Sequence, residues 1–245
     1  MGPICSRLAR AAAIGALVLL AACSSDAARA PANEVGAAEA EIVAPASLVP
    51  EGPVVTGAVR QPVTGVQAVG DSILGWNQES GEAISDVLGA ELGVPSVNNA
   101  VGGATLTGSD GIPTLYEPDD ASHVLITGGG NDFAVSCSED MLDRLVSADL
   151  TSGRMVDLVD RVAANGSQAV IMGYYLPVRS GGECALFDDL ATRYRSLAEA
   201  REDVVFVRSD LTVTPAAPEL YADEVHPSPR GGIVLGRFLA DVFGR

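Results

Sequence analysis

The chain has 245 residues, 47% of them hydrophobic, which is enough for one well-buried domain and too apolar for a disordered protein. Its formal net charge is −17, from 15 basic side chains (all arginine) against 32 acidic ones. A surface this negative repels nucleic acid and anionic headgroups, so nucleic acid is excluded as a partner.

In chain order, Arg7 and Arg10 precede an apolar run from Ala11 to Leu20, followed by Ala21-Ala22-Cys23. This order of charge, apolar run and small residues marks residues 1–22 as an export signal. The run is shorter than the roughly 20 apolar residues that span a bilayer. Leu20-Ala21-Ala22-Cys23 resembles a bacterial lipobox. That resemblance implies cleavage before Cys23 and lipid on its sulfur, with a plain secretory signal as the alternative. The expected location is therefore the bacterial cell envelope, periplasmic or at the cell surface, with the protein held on the membrane by its anchor. Residues 23–62 are rich in Ala, Pro, Glu, Val and Ser and lack aromatics, as a tether does. Pro53–Thr56 is a candidate for the domain edge.

Residues 63–245 alternate between two patterns. Short apolar runs at Val66–Val69, Ser96–Asn98, His123–Thr127, Ala169–Gly173 and Val204–Val207 predict buried parallel strands. Residues 79–92, 152–164 and 186–200 carry apolar side chains at helical spacing. A last helix is predicted from Pro229, with Ser228 as its N-cap. Strand–helix alternation argues an α/β domain whose parallel sheet is covered on both faces.

Cys5 would leave with the signal, and Cys23 would carry lipid. Cys137 and Cys184 remain, and in an oxidising compartment they are expected to form a disulfide; two buried free thiols are the alternative.

In parallel α/β sheets, sites form beyond the carboxyl ends of the strands. The first strand is followed by Gly70-Asp71-Ser72 and the second by Asn98 through Thr105, including Gly102-Gly103. Gly128-Gly129-Gly130-Asn131-Asp132 follows the third, and Asp223-Glu224-Val225-His226-Pro227 precedes the last helix. These segments hold the parts that acyl transfer through a serine requires: nucleophile, base, orienting acid and oxyanion donors.

Four such blocks in this order, over roughly residues 64–245, resemble the SGNH hydrolases, the GDSL-type esterases and lipases. Two departures are visible. Ile73 replaces the usual Leu, and Gly102 stands where many members carry Ser, so Gly102 and Gly103 compete for one role; the spacing to Asn98 and Thr105 favours Gly103. The resemblance implies a flavodoxin-like three-layer α/β/α sandwich with a five-stranded parallel sheet. It also implies a Ser72–His226–Asp223 triad, with oxyanion donors from the backbone of Ser72 and Gly103 and the side chain of Asn131. Ser72 is expected at a helix N-terminus, where free N–H groups favour a developing anion. Glu224 is the rival for the role of Asp223. His123 opens its strand, at the end of the sheet away from Asn131, and is expected to be structural.

The implied reaction is ester hydrolysis through an acyl-serine, favouring short-chain or acetyl esters. Lysophospholipids or other lipid esters come second, and a non-catalytic, glycan-binding envelope lipoprotein is the reading from another class. Tyr174 and Tyr175, with Leu176 and Pro177, are expected to line the substrate pocket; Trp76 fits either core or site. No His/Cys cluster has metal-ligand spacing, and the Gly128–Gly130 run lacks phosphate-binding spacing, so neither metal nor cofactor is expected.

Overall fold

The computed structural model describes residues 54–175, 184–210, 212 and 217–244. All belong to one unit, Ser47–Arg245. The expected strands form with their boundaries shifted by a residue at most: β2 (Val66–Val69), β3 (Ser96–Asn98), β4 (His123–Ile126), β5 (Gln168–Met172) and β6 (Val204–Val207). Every residue of β2, β4, β5 and β6 is buried. Successive side chains of a strand point to opposite faces, so unbroken burial requires cover on both sides.

A sixth strand corrects the expected five. β1 (Val55–Thr56) adds to β6 in antiparallel register, Val55 opposite Val207 and Thr56 opposite Phe206. The sheet is therefore mixed, in the order β1-β6-β5-β4-β2-β3, with β2 through β6 parallel. The folded part also begins before residue 63. Gln168 Nε2 donates to Ala58 O (2.8 Å), and Arg60 N donates to Gln168 Oε1 (3.1 Å). Gln61 Nε2 donates to Ser122 O (2.6 Å).

Among the described residues the helices are α1 (Ser72–Gly75), α2 (Ile84–Leu92), α3 (Ile112–Leu115), α4 (Gly130–Val135), α5 (Glu139–Leu145), α6 (Arg154–Ala164), α7 (Phe187–Ala200) and α8 (Pro229–Phe243). α2 starts later than its periodicity predicts. Residues 78–80 make a 3-10 turn instead, and Gly81, at φ +71°, breaks the run. α8 begins as expected, with Ser228 Oγ accepting from Gly231 N. It packs closely on α2, since a Cβ at Gly236 would lie 2.6 Å from Val87 Cβ.

β2 lies between β3 and β4, so the chain leaves it to one side and returns on the other. The carboxyl end of β2 is therefore the switch point in strand order, where ligands of open α/β sheets bind. Ser72 stands there. His123 sits at the opposite end, fully buried, with Nδ1 2.9 Å from Ser122 Oγ and its ring tilted against Phe243. Burial pushes its pKa down, as for an imidazole kept neutral in the core.

Candidate active site

Asp71 caps α1 by accepting from Ile73 N (3.1 Å), so Ser72 is the first helical residue and its hydroxyl is not used as the cap. α1 is a single turn. Any field from it at Ser72 is local N–H groups rather than a long dipole, which narrows the expectation from sequence.

The glycine block lies across this turn. Val101 N donates to Gly70 O (3.0 Å), and Asn98 Nδ2 donates to Leu74 O (2.8 Å). Gly102 and Gly103 divide the properties expected of one residue. A Cβ on Gly102 would lie 3.9 Å from Ser72 Cβ, whereas Gly103 holds φ +78°, a conformation that costs other residues about 1–2 kcal/mol.

Asn131 is the second residue of α4, half-exposed, and donates through Nδ2 to Ala104 O (2.9 Å). A primary amide has two N–H donors, so one remains for a ligand. The neighbouring Asp132 is fully buried and fastens the same loop. It accepts from Leu106 N (2.8 Å), Thr107 N (2.9 Å) and Thr107 Oγ1 (2.6 Å).

His226 lies in the segment before α8, which the isolated bridge between Tyr221 and Pro227 closes on itself. Asp223 organises it. Oδ1 accepts from Val225 N (2.8 Å) and His226 N (2.7 Å), while Oδ2 lies 2.8 Å from His226 Nδ1. Partial burial works to raise the Asp223 carboxyl, but the hydrogen bonds from His226 and Val225 outweigh it and hold the group below the usual range. Asp223, rather than Glu224, meets the ring. A neutral ring that donates through Nδ1 to this carboxylate leaves Nε2 as its acceptor.

The closing block reaches the serine block through two contacts. Asn77 Nδ2 donates to Pro227 O (3.1 Å), and the indole of Trp76 lies flat on the His226 ring, centroids 3.8 Å apart and planes 7° apart. Among the described residues, nothing hydrogen-bonds to the Ser72 hydroxyl in this structure, His226 included.

Tyr174 and Tyr175, expected to line the substrate pocket, are both buried, and their hydroxyls find partners inside the protein. Tyr174 OH accepts from Gly130 N (3.0 Å) and donates to the buried Asp71 Oδ2, joining the serine block to the asparagine block. Tyr175 OH donates to Val225 O (2.6 Å), bracing the loop of His226. Leu176 and Pro177 lie outside the described residues. The available signal was a pair of tyrosines directly after a buried strand, whose hydroxyls need internal partners wherever they are enclosed.

Tyr174→Phe is expected to cost about 3 kcal/mol, one bond to a carboxylate and one to a backbone N–H. That lowers the melting temperature by about 6–12 °C. Burial raises the Asp71 pKa, so between its unfolded and folded values the native state holds the extra proton and stability falls as pH rises. Removing the Tyr174 donor raises the folded value further. The loss should therefore be largest at neutral pH and shrink as pH falls through the Asp71 titration, measured by urea unfolding.

A cleft of about 270 Å³ among Arg60, Gln61, Gln168 and Glu202 lies at the amino ends of β5 and β6, away from these groups. The side-chain amides of Gln61 and Gln168 in its lining are engaged by backbone groups of Ser122, Ala58 and Arg60.

Cys137 and Cys184 form a disulfide, with Cα atoms 5.4 Å apart, joining the chain after α4 to the start of α7. Three of the four sequence blocks thus follow parallel strands at their carboxyl ends, and the fourth, before α8, reaches the serine block through Trp76 and Asn77, the arrangement of an SGNH hydrolase.

Residues 68–232 match the GDSL-like Lipase/Acylhydrolase family, and the chain belongs to that family, an ester-hydrolysing enzyme. Solved structures share the fold. The psychrotrophic esterase EstA of Pseudoalteromonas sp. is 16% identical, over 74% of this chain and 97% of that one, with a TM-score of 0.57. A catalytic mutant of an acetylxylan esterase from Geobacillus stearothermophilus is 21% identical, over 76% and 96%, with a TM-score of 0.53. A lipolytic protein of the G-D-S-L family from Veillonella parvula is 18% identical, over 74% and 99%, with a TM-score of 0.52. No curated protein matches the chain.

Proposed function

We propose that the protein hydrolyses carboxylic esters through an acyl-Ser72 intermediate, acting on short-chain or acetyl esters of glycans or small molecules. Ser72 Oγ attacks the ester carbonyl while His226 Nε2 takes its proton, which passes to the departing alcohol. Asp223 holds the tautomer whose Nε2 accepts, and it stabilises the imidazolium. The backbone N–H groups of Ser72 and Gly103 and the amide of Asn131 hold the oxyanion. Water, activated by His226, then releases the acid and restores the serine.

The observation that carries this reading is the Asp223–His226 pair, 2.8 Å apart, packed through Trp76 onto the turn that Ser72 begins. Hydrogen bonds between nucleophile and base often tighten only when substrate is seated. The preference for short acyl groups rests on the short connections around the site and on the fold shared with an acetylxylan esterase.

A second reading, lipid esters, draws on exposed apolar side chains. Trp76, Val101, Val135 and Val225 are exposed, one on each segment that carries a proposed site residue. p-Nitrophenyl esters from acetate to long acyl chains separate the two. Rates highest at acetate or butyrate support the first, and rates that climb with chain length support the second. Ser72→Ala should lower kcat by at least about 10³-fold; equal rates for both proteins would leave only the non-catalytic, glycan-binding reading.

The protein would act outside the cytoplasm, held at a membrane by lipid on Cys23, which lies outside the described residues. An unmodified Cys23 in the intact mass of the mature protein removes the anchor from this proposal.

A further inference from the structure

Asp223 grips the imidazole of His226 by one edge, through Nδ1. An edge contact sets which nitrogen points away, but it leaves both faces of the ring uncovered. The segment that carries His226 has no regular structure, and the Asp223 side chain is 48% exposed. A second restraint is needed for a ring that must present Nε2 in one direction.

Trp76 supplies that restraint. Its indole covers one imidazole face at 3.8 Å with planes 7° apart. Its own backbone is fixed to the serine, since Trp76 N donates to Ser72 O (2.9 Å). The same turn of chain therefore carries Ser72 at its start and a platform for His226 at its end. Trp76 is also 36% exposed, an unusual use of the chain's single tryptophan if core packing were its purpose. An indole face also attracts a cation within about 6 Å.

We infer that Trp76 is a positioning residue for the reaction: its indole fixes the plane of His226 and stabilises the imidazolium formed when Ser72 is deprotonated. This rests on the proposed roles of Ser72 and His226. Because Trp76 would touch the base and not the ester, its loss should appear in kcat and not in KM.

The test compares wild type, Trp76→Phe and Trp76→Leu on p-nitrophenyl acetate, with Ser72→Ala alongside. Leu keeps apolar bulk but no aromatic face. Trp76→Leu should lower kcat about tenfold with KM within about twofold, and Trp76→Phe should recover most of the loss. In proton NMR, the carbon-bound protons of the His226 ring should lie upfield in wild type and move downfield in Trp76→Leu. With only two histidines in the chain, His226→Ala assigns them.

An unchanged kcat in Trp76→Leu overturns the inference. So does a rise in KM alone, which would make Trp76 a substrate contact. So does Trp76→Phe no better than Trp76→Leu, or a His226 ring without the upfield displacement. Wild-type activity in Ser72→Ala would instead sink the proposed function, and the NMR arm would still report whether the two rings stack.

Discussion

Asp223→Asn is expected to lower kcat by about 10³- to 10⁴-fold while leaving the melting temperature nearly unchanged. The reason lies in how both carboxylate oxygens are used. Oδ1 accepts two backbone N–H groups, from Val225 and His226, and Oδ2 faces the ring nitrogen. An asparagine here can keep the two backbone bonds only by placing its oxygen at Oδ1. Its NH2 group then points at His226 Nδ1, which must become an acceptor. The proton moves to Nε2, and the ring can no longer take one from Ser72. The loop keeps its shape, so stability should change little and KM should stay within a few-fold. Steady-state kinetics with a thermal melt check both halves. A loss below about tenfold would show that Asp223 does not set the tautomer.

Reducing the Cys137–Cys184 bond has the largest expected effect on stability. The cysteines are separated by 47 residues in sequence. In the chain-entropy model a loop of that length is worth about 4 kcal/mol, which corresponds to a fall of about 8–16 °C in melting temperature. Activity of the folded reduced protein should nevertheless survive. Asn131 is held from the other side, by its own bond to Ala104 O and by the three bonds that Asp132 accepts from Leu106 and Thr107. The Cys137→Ser/Cys184→Ser pair should therefore melt early yet retain kcat within about threefold at 25 °C. A large kcat loss with little change in melting would reverse this assignment and make the bond part of the site's geometry.

β2, β4, β5 and β6 were legible because each is a short, largely apolar run bounded by turn residues and buried on both faces, whereas β3, Ser96–Asn98, is only partly buried. β1 was harder to read. Two residues in a stretch with the composition of a tether carry no periodicity, and what makes them a strand is the free edge of β6 some 150 positions away. α5 had a readable start: Ser138 accepts from Met141 N, and Met141, Leu142 and Leu145 are buried. α4 had none, because it opens on glycines.

Three blocks of the candidate site were legible at strand ends, since the sheet carries whatever follows a strand to one end of the domain, and the fourth was read before the last helix. What sequence could not supply was depth. Tyr174 and Tyr175 follow a strand end, yet both are buried, and Trp76, which by pattern fits either core or site, is partly exposed against His226. Position along the chain gives which end of the sheet a residue visits, and only packing decides whether it faces inward.

The placement of Trp76 has a practical consequence. As the chain's single tryptophan, it is the source of nearly all the intrinsic fluorescence excited at long wavelength. That signal therefore reports on one contact between two surface segments and says little about the sheet. The loop under it is partly exposed and is held by a handful of hydrogen bonds, so it belongs with the elements that open locally before the core does. A denaturant titration followed by fluorescence should show an earlier transition than one followed by far-ultraviolet circular dichroism. A stability taken from emission alone would then describe the opening of the site, not the unfolding of the protein.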